Sequence, residues 1–172
     1  SMKVISFNAK NGDAIHIRSK GGTNIIVDMG YSETYKEHIS NKVIDIEKAG
    51  ENLDLLVITH IDHDHISGAI TFLKDIHNGR YRESTLKQIW HNSYRHLSMA
   101  TRAKVSNADY DIIYTFLNRL SKHNSLITGA EISALQGSTL AGLILKSGIE
   151  WNNKFSYNPI VKGTKAIIGD VT

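Results

Sequence analysis

Short apolar runs alternate with polar turns over the first thirty residues. Residues 4–7 and 14–17 are rich in β-forming side chains, and the turn sequence Asn11-Gly12-Asp13 separates them. Residues 24–28 form a third run, which leads into Met29-Gly30. The pattern predicts a β-hairpin followed by a third strand.

Residues 33–49 carry apolar side chains at helical spacing. These side chains recur every three or four residues, at Tyr35, Ile39, Val43 and Ile46. Gly50 follows the last turn, where glycine commonly ends a helix. The segment is therefore predicted to be an amphipathic helix that ends near Gly50.

The most concentrated polar sequence of the chain lies between a strand pattern and a helix pattern. Residues 53–59 form a nearly continuous apolar run, typical of a strand buried on both faces of an α/β sheet. Residues 66–77 then show helical spacing, and five of the six residues between them are His or Asp. Residues 60–65 are thus expected on a loop from a central strand to a helix N-terminus, where α/β folds place chemistry.

The second half of the chain has weaker patterns. Strands are predicted over residues 86–90, 160–161 and 166–168, and helices over residues 109–121 and 125–148. The chain has 172 residues without an internal repeat or linker, which favours a single domain over residues 1–172. The alternation of strands and helices assigns it to the α/β class.

Composition removes several classes of protein. The chain is 41% hydrophobic and 22% charged, as expected for a globular domain, and it has no cysteine, so thiolate ligands, cysteine nucleophiles and disulfides are excluded within it. No apolar segment approaches the roughly 20 residues of a transmembrane helix, and the first residues lack the apolar block of a secretory signal. We expect a cytoplasmic protein without a membrane partner.

The net charge of +3 is unevenly distributed. Residues 74–104 carry seven Lys or Arg and two Asp or Glu, whereas residues 1–73 carry seven and ten. Six of these seven basic side chains are interleaved with aromatic residues: Arg80, Arg82, Lys87, Arg95, Arg102 and Lys104. They are suited to a nucleic-acid phosphate backbone, but a solvated face with side-chain stems packed on aromatic rings explains them equally well.

The side chains of residues 60–65 are ligand types for transition metals. Imidazole and carboxylate bind Zn²⁺ and its neighbours, and a metal pair can hold a hydroxide at neutral pH. In an extended segment His60, Asp62 and Asp64 project to one side, and a turn into the helix brings His65 round to them. The helix N-terminus favours an anionic substrate beside such a site. A polar surface loop is the alternative interpretation.

Three motifs resemble the metallo-β-lactamase fold superfamily. Residues 59–68 look like its Thr-His-x-His-x-Asp-His-x-x-Gly signature, and residues 24–30 look like its apolar strand ending in Asp-x-Gly. Asp62 stands where most members have His, as in the branch that includes the hydrolase domain of bacterial competence DNA-uptake proteins. The Gly-Asp-Ala element of that branch resembles Gly12-Asp13-Ala14. The motifs occur in the order of the family.

The resemblance implies a ligand set and a reaction. His60 and Asp62 would bind one metal, and Asp64, also the catalytic residue, and His65 would bind the second, leaving His63 at a variable position. Two zinc ions are the implied cofactors, and the carboxylate of Asp62 makes Mn²⁺ or Fe²⁺ more competitive. The implied activity is a metal-dependent hydrolase that uses a metal-bound hydroxide, with a small-molecule or nucleic-acid phosphodiester favoured over other esters or amides.

The resemblance also implies a fold that this chain fills only in part. Members form an αβ/βα sandwich whose second half supplies further metal ligands, and no such motif is found after residue 77. We expect the chain to be the N-terminal portion of that sandwich, truncated on its C-terminal side, with a helical insert over residues 93–150. Asp170 superficially resembles the bridging carboxylate of the second half, although a role elsewhere is favoured.

The alternative function belongs to a different class. A partial or degenerate domain would act as a binding or assembly module, inactive without its second half. Its partner would be that C-terminal half or another copy of the chain, because an unfinished sandwich exposes apolar surface.

Four other polar positions are expected near the predicted site or its turns. Asp28 is interpreted as a structural carboxylate at a strand end, Asp13 as a turn residue, and Thr59 as a buried hydroxyl that orders the loop. His91 follows a strand end on the side of the predicted site, and an ordinary surface position is favoured for it.

Overall fold

The computed structural model describes residues 1–7, 13–59, 63–91, 140, 143–144, 149–151, 163 and 165–172. For residues 63–65 and residue 151 it describes the backbone alone.

Within the described residues, six strands form one mixed sheet in sequence order. They are β1 (Lys3–Ser6), β2 (Ile15–Arg18), β3 (Asn24–Val27), β4 (Leu53–Ile58), β5 (Gln88–His91) and β6 (Glu150–Trp151). The pairs β1–β2 and β2–β3 are antiparallel, and each later pair is parallel. The carboxyl ends of β3, β4 and β5 therefore meet at one edge of the sheet, called the carboxyl edge below.

The two helices predicted between residues 33 and 77 lie where the apolar spacing places them. The first runs over residues 32–48 in three parts, α1 (Ser32–Thr34), a π-helical segment (Tyr35–Ile39) and α2 (Ser40–Lys48), and its four predicted apolar residues are all buried. The second, α3 (His63–His77), is the crossover between β4 and β5. Within the described residues no helix has the length and apolarity needed to cross a membrane.

The two faces of the sheet have separate apolar clusters. The larger cluster joins Ile26, Leu56 and Ile89 of the strands to α3 through Ile66 and Phe72, so this is the helix side. On the opposite face Ile25 and Leu55 pack with Ile168 from the end of the chain. β4 is thus covered on both faces, as its continuous apolar run predicts.

Buried hydroxyl groups also connect the first helix with α3. The Tyr35 hydroxyl lies 2.6 Å from that of Tyr81 and donates to Asp75 at 2.5 Å, and the ring of Phe72 packs against both tyrosine rings. Burial raises the pKa of Tyr35 and of Tyr81. The network fixes the π-helical segment against the second half of α3.

Residues 166–168 do not form the predicted strand. Ile168 and Val171 pair with each other in an isolated antiparallel bridge, because Gly169 adopts a positive φ of 55° and turns the chain back at once.

The mixed α/β architecture agrees with the predicted fold class and is compatible with part of a metallo-β-lactamase-like fold. The second layer of the sandwich and the helical insert over 93–150 remain predictions, since that range lies almost entirely outside the described residues. The helical residues described there, Leu140, Leu143 and Ile144, are buried in the larger cluster. The helices predicted over 109–121 and 125–148 and the strand at 160–161 likewise lie mostly or wholly outside the described residues.

Candidate functional site

Asp28 anchors the chain where β4 ends at the carboxyl edge. Its carboxylate accepts a hydrogen bond from the backbone N–H of Thr59 at 2.9 Å and another from the Thr59 hydroxyl. Asp28 is 4% exposed and has a φ of 56°, a left-handed conformation that Asp tolerates better than most residues. The structural role predicted for Asp28 is confirmed.

Thr59 orders the start of the loop as predicted, but the expectation that it is buried was wrong. The residue is exposed, although its hydroxyl is held by Asp28. The hydrogen bonds of Thr59 with Asp28 therefore fix the chain immediately after β4. The loop that follows it begins from a fixed position.

Close backbone contact anchors the first turns of α3. The Gly68 N–H donates to the Gly30 carbonyl at 2.9 Å, and a Cβ on Gly68 would lie 2.5 Å from the Met29 carbonyl oxygen and 2.7 Å from that of Gly30. The Ser67 hydroxyl accepts from the Ser32 N–H at 3.1 Å. The small residues Ser67 and Gly68 permit this packing.

The predicted ligands lie between these two anchors. His60 and Asp62 are outside the described residues, and Asp64 and His65 have their backbone in the first turn of α3 while their side chains are outside the description. Their roles as ligands therefore remain predictions. Among the side chains that the structure describes, no group of three or more His, Asp or Glu could hold a metal.

The donor chemistry and the anchoring fit a metal loop. Residues 60–65 offer imidazole and carboxylate donors, which suit Zn²⁺, Mn²⁺ or Fe²⁺. Thr59 is fixed immediately before them, and Ser67 and Gly68 are fixed immediately after Ile66. The structure therefore fixes the chain on both sides of residues 60–65.

His91 lies at the same edge and was mispredicted as a surface residue. It is 1% exposed, it is the last residue of β5, and its register partner is Ile58, the last residue of β4. Its Nδ1 lies 3.3 Å from the Ile58 carbonyl oxygen. Side chains two positions apart on a strand share a face, so the apolar position of Ile89 is the sequence signal that would have predicted a buried His91.

Asp170 lies at the opposite end of the sheet. Its carboxylate accepts hydrogen bonds from the hydroxyls of Ser19 and Thr23 at 2.5 Å each and from the Gly21 N–H at 3.1 Å. These residues belong to the turn before β3, whose first residue aligns with the first residue of β4. The hydroxyl bonds lower the pKa of Asp170 to about 2. Asp170 closes this turn, at the end of the sheet opposite to Thr59, which agrees with the role elsewhere that is favoured for it.

The described basic residues of segment 74–104 are partly neutralised within the fold. Arg82 donates to Glu47 at 2.9 Å and to the Glu51 carbonyl at 2.7 Å, and Arg80 lies 3.6 Å from Asp75 and over the ring of Tyr81. The interpretation as a packed, solvated face fits these two arginines. The side chains of Arg95, Arg102 and Lys104 lie outside the described residues.

A comparison with protein families identifies one match. The model of the family described as the metallo-beta-lactamase superfamily matches residues 8–138, more than half of the chain. The match reaches the superfamily and does not extend to the competence branch. No curated protein and no solved structure is significantly similar to the chain.

Proposed function

The chain belongs to the metallo-beta-lactamase superfamily, and we propose that it is a metal-dependent hydrolase whose preferred substrates are phosphodiesters. The observation that supports this most is that the residues on both sides of 60–65 are held in place. Asp28 and Thr59 fix the chain before the His/Asp sequence, and Gly68 fixes α3 after it, at the carboxyl edge where α/β sheets carry their sites.

The ligands in this proposal are His60, Asp62, Asp64 and His65. A divalent metal bound by them would supply an activated water and would polarise an oxygen of the phosphoryl group whose phosphorus is attacked. The protein contributes the position of the donors. Asp28 holds the end of β4 through Thr59, and the contact of Gly68 with Met29 and Gly30 sets where the first turn of α3 lies.

The preference for a phosphodiester depends on charge. α3 has 15 residues and begins at His63, so its N-terminal dipole favours an anion beside the ligand loop. Asp62 in place of the usual His resembles members of the superfamily that act on nucleic acid. The basic segment adds less support, because Arg80 and Arg82 already pair with acidic residues of the fold.

Hydrolysis of bis(p-nitrophenyl) phosphate tests the proposal. The chain, supplied in turn with Zn²⁺, Mn²⁺ and Fe²⁺, should release nitrophenolate, and Asp64→Asn should lower the rate by at least about 100-fold, in the range expected for damage to a metal site. His77→Ala is the matched control, because His77 is exposed at the far end of α3 and should leave the rate unchanged.

Two results would contradict the proposal. One is the absence of phosphodiester hydrolysis with every metal, and the other is an Asp64→Asn variant that is as active as the wild type. A thioester and a lactone belong in the same assay, since hydrolysis of either in place of the phosphodiester would retain the enzyme but reject the substrate class.

A further inference from the structure

His16 is a polar side chain on the helix side of the sheet. It is 3% exposed, and it is paired in register with Ile5 of β1 and Ile26 of β3. Paired residues of neighbouring strands share a face, and Ile26 belongs to the larger apolar cluster. The imidazole therefore occupies a position in the sheet that is typical of an apolar side chain.

One hydrogen bond holds the imidazole and fixes its tautomer. His16 Nε2 lies 2.9 Å from Asn24 Oδ1, and the Asn24 amide nitrogen donates to the Glu51 carboxylate at 2.8 Å and to the Gly22 carbonyl at 3.1 Å. Carboxylates and carbonyls only accept hydrogen bonds, so Oδ1 is the atom that accepts from His16. The proton of the neutral ring is therefore on Nε2, and Nδ1 carries the lone pair.

The other ring nitrogen is buried without a partner. Nδ1 of His16 has no hydrogen bond to any group in the part of the chain that the structure describes. A proton on Nδ1 would place a positive charge and a donor without an acceptor in the interior, which costs more than an unused lone pair. Burial accordingly lowers the pKa of His16, and this outweighs the hydrogen bond to Asn24, which favours the charged ring.

The charged groups that face His16 also disfavour a proton. Lys42 of α2 and Arg18 of β2 oppose a positive charge on the ring, whereas Glu51, between α2 and β4, favours it. The Glu51 carboxylate is itself bound by Arg18, whose Nε donates to it at 3.0 Å. The attraction of Glu51 for a charged His16 is therefore partly neutralised.

The strands β1 and β2 depend on this ring because they bury little else. Among the residues of these two strands only His16 is buried, and three of the four β1 residues are exposed. Within the described residues β1 pairs with β2 alone, at the edge of the sheet. Segments with few buried contacts can open without unfolding of the whole domain. β1 and β2 are thus able to separate from β3 while the rest of the sheet stays folded.

We propose that His16 is a pH-sensitive switch within the sheet. The neutral ring joins β2 to the first residue of β3 through Asn24. When Nδ1 takes up a proton, the ring leaves the interior, and β1 and β2 separate from β3. The switch acts between about pH 7.5 and 5, the range in which a solvated histidine changes its charge. It uses none of residues 60–65 and is independent of the proposed metal site.

Amide hydrogen exchange of the complete chain, followed by NMR, measures this separation. We expect the protection factors of the β1 and β2 amides to fall by up to about 30-fold between pH 7.5 and 5, the limit for an open state whose histidine has the ordinary pKa of about 6.5. At pH 5 they should lie below those of β4. His16→Gln, which keeps an N–H donor for Asn24 and takes up no proton, should abolish the fall. His38→Gln, at an exposed histidine, should leave it unchanged.

Nitrogen NMR of the wild type gives a result that does not depend on the folding of a variant. In chain labelled with ¹⁵N-histidine, His16 should show a protonated Nε2 and an unprotonated Nδ1 at pH 7.5. On acidification this signal should lose intensity to a second, open form. A gradual shift of the signal with unchanged protection in β1 and β2 would overturn the inference, because the ring would then be protonated in place. Equal protection in β2 and β4 at pH 5, or the same pH dependence in His16→Gln, would also overturn it.

Discussion

Replacing Gly68 by alanine should destabilise the protein and weaken its metal site together. The new Cβ would lie 2.5 Å from the Met29 carbonyl oxygen and 2.7 Å from that of Gly30, against a practical minimum of 3.0 Å. Both neighbours are backbone atoms of the segment that follows β3, so neither can rotate away. The helix must move outward relative to Asp28 and the end of β4.

The expected loss of stability follows from two unfavourable contributions and one favourable contribution. Overpacking of a rigid site costs about 1–3 kcal/mol, and the upper end applies where the contacts are with backbone. Weakening the 2.9 Å bond from the Gly68 N–H to the Gly30 carbonyl costs about 1 kcal/mol. Alanine returns about 1 kcal/mol through its higher helix propensity. The net loss is about 2–3 kcal/mol, or a fall in Tm of roughly 4–12 °C for a domain of this size.

Thermal unfolding followed by circular dichroism and Zn²⁺ affinity are the two measurements. Gly50→Ala is the control, because Gly50 has a φ of 72° but nothing lies within 4 Å of its added Cβ. It should lose about 1–2 kcal/mol from the left-handed backbone and keep wild-type zinc affinity. A Gly68→Ala variant with the Tm and zinc affinity of the wild type would refute the claim that this contact positions the ligand loop.

Three further predictions concern other polar groups. Asp28→Ala should lower the free energy of unfolding by about 3–5 kcal/mol, because it removes two charge-assisted hydrogen bonds and places alanine at a strained φ. Asp28→Asn, which tolerates that φ, should lower it less; urea unfolding would measure both variants, and equal losses would contradict the argument. Burial lowers the pKa of His16, so the free energy of unfolding should fall as the pH drops below 6.5, because the unfolded chain then takes up a proton that the folded chain does not. His16→Gln should make this pH dependence shallower, and an unchanged slope would contradict the assignment to His16. The lowered pKa of Asp170, about 2, should add stability that is present above pH 3.8 and is lost between pH 3.8 and 2. Asp170→Asn should lower the Tm at pH 7 and remove that acid dependence. A Tm equal to that of the wild type would show that the turn does not need the carboxylate.

Much of the first half of the fold is predictable from periodicity. The spacing of Tyr35, Ile39, Val43 and Ile46 places the first helix to within one residue at each end. The spacing does not reveal the π-helical segment at Tyr35–Ile39, because all four side chains are buried whether or not one turn is wider. The hydroxyl contacts of Tyr35 with Asp75 and Tyr81 in this segment join residues 40 and 46 positions apart, beyond the range of local spacing.

The candidate site is predictable where its signal is local in the sequence. The cluster at residues 60–65 and the carboxylate of Asp28 can be recognised from their positions at strand ends. His91 was misplaced because its burial depends on one more residue of β5 pairing with β4, and strand ends are poorly determined by alternation. Asp170 was ambiguous because its partners Ser19 and Thr23 are about 150 residues away in sequence, with separations of 151 and 147.

The most direct test of the metal site is the metal content of the purified chain by inductively coupled plasma mass spectrometry. The wild type, His60→Ala, Asp64→Ala and His63→Ala should be compared after identical exposure to Zn²⁺ and Mn²⁺. We predict near-stoichiometric metal in the wild type and in His63→Ala, because His63 is not among the proposed ligands, and its loss in the other two variants. A wild type without bound metal, or equal metal in all four proteins, would contradict the assignment of residues 60–65 as a metal site.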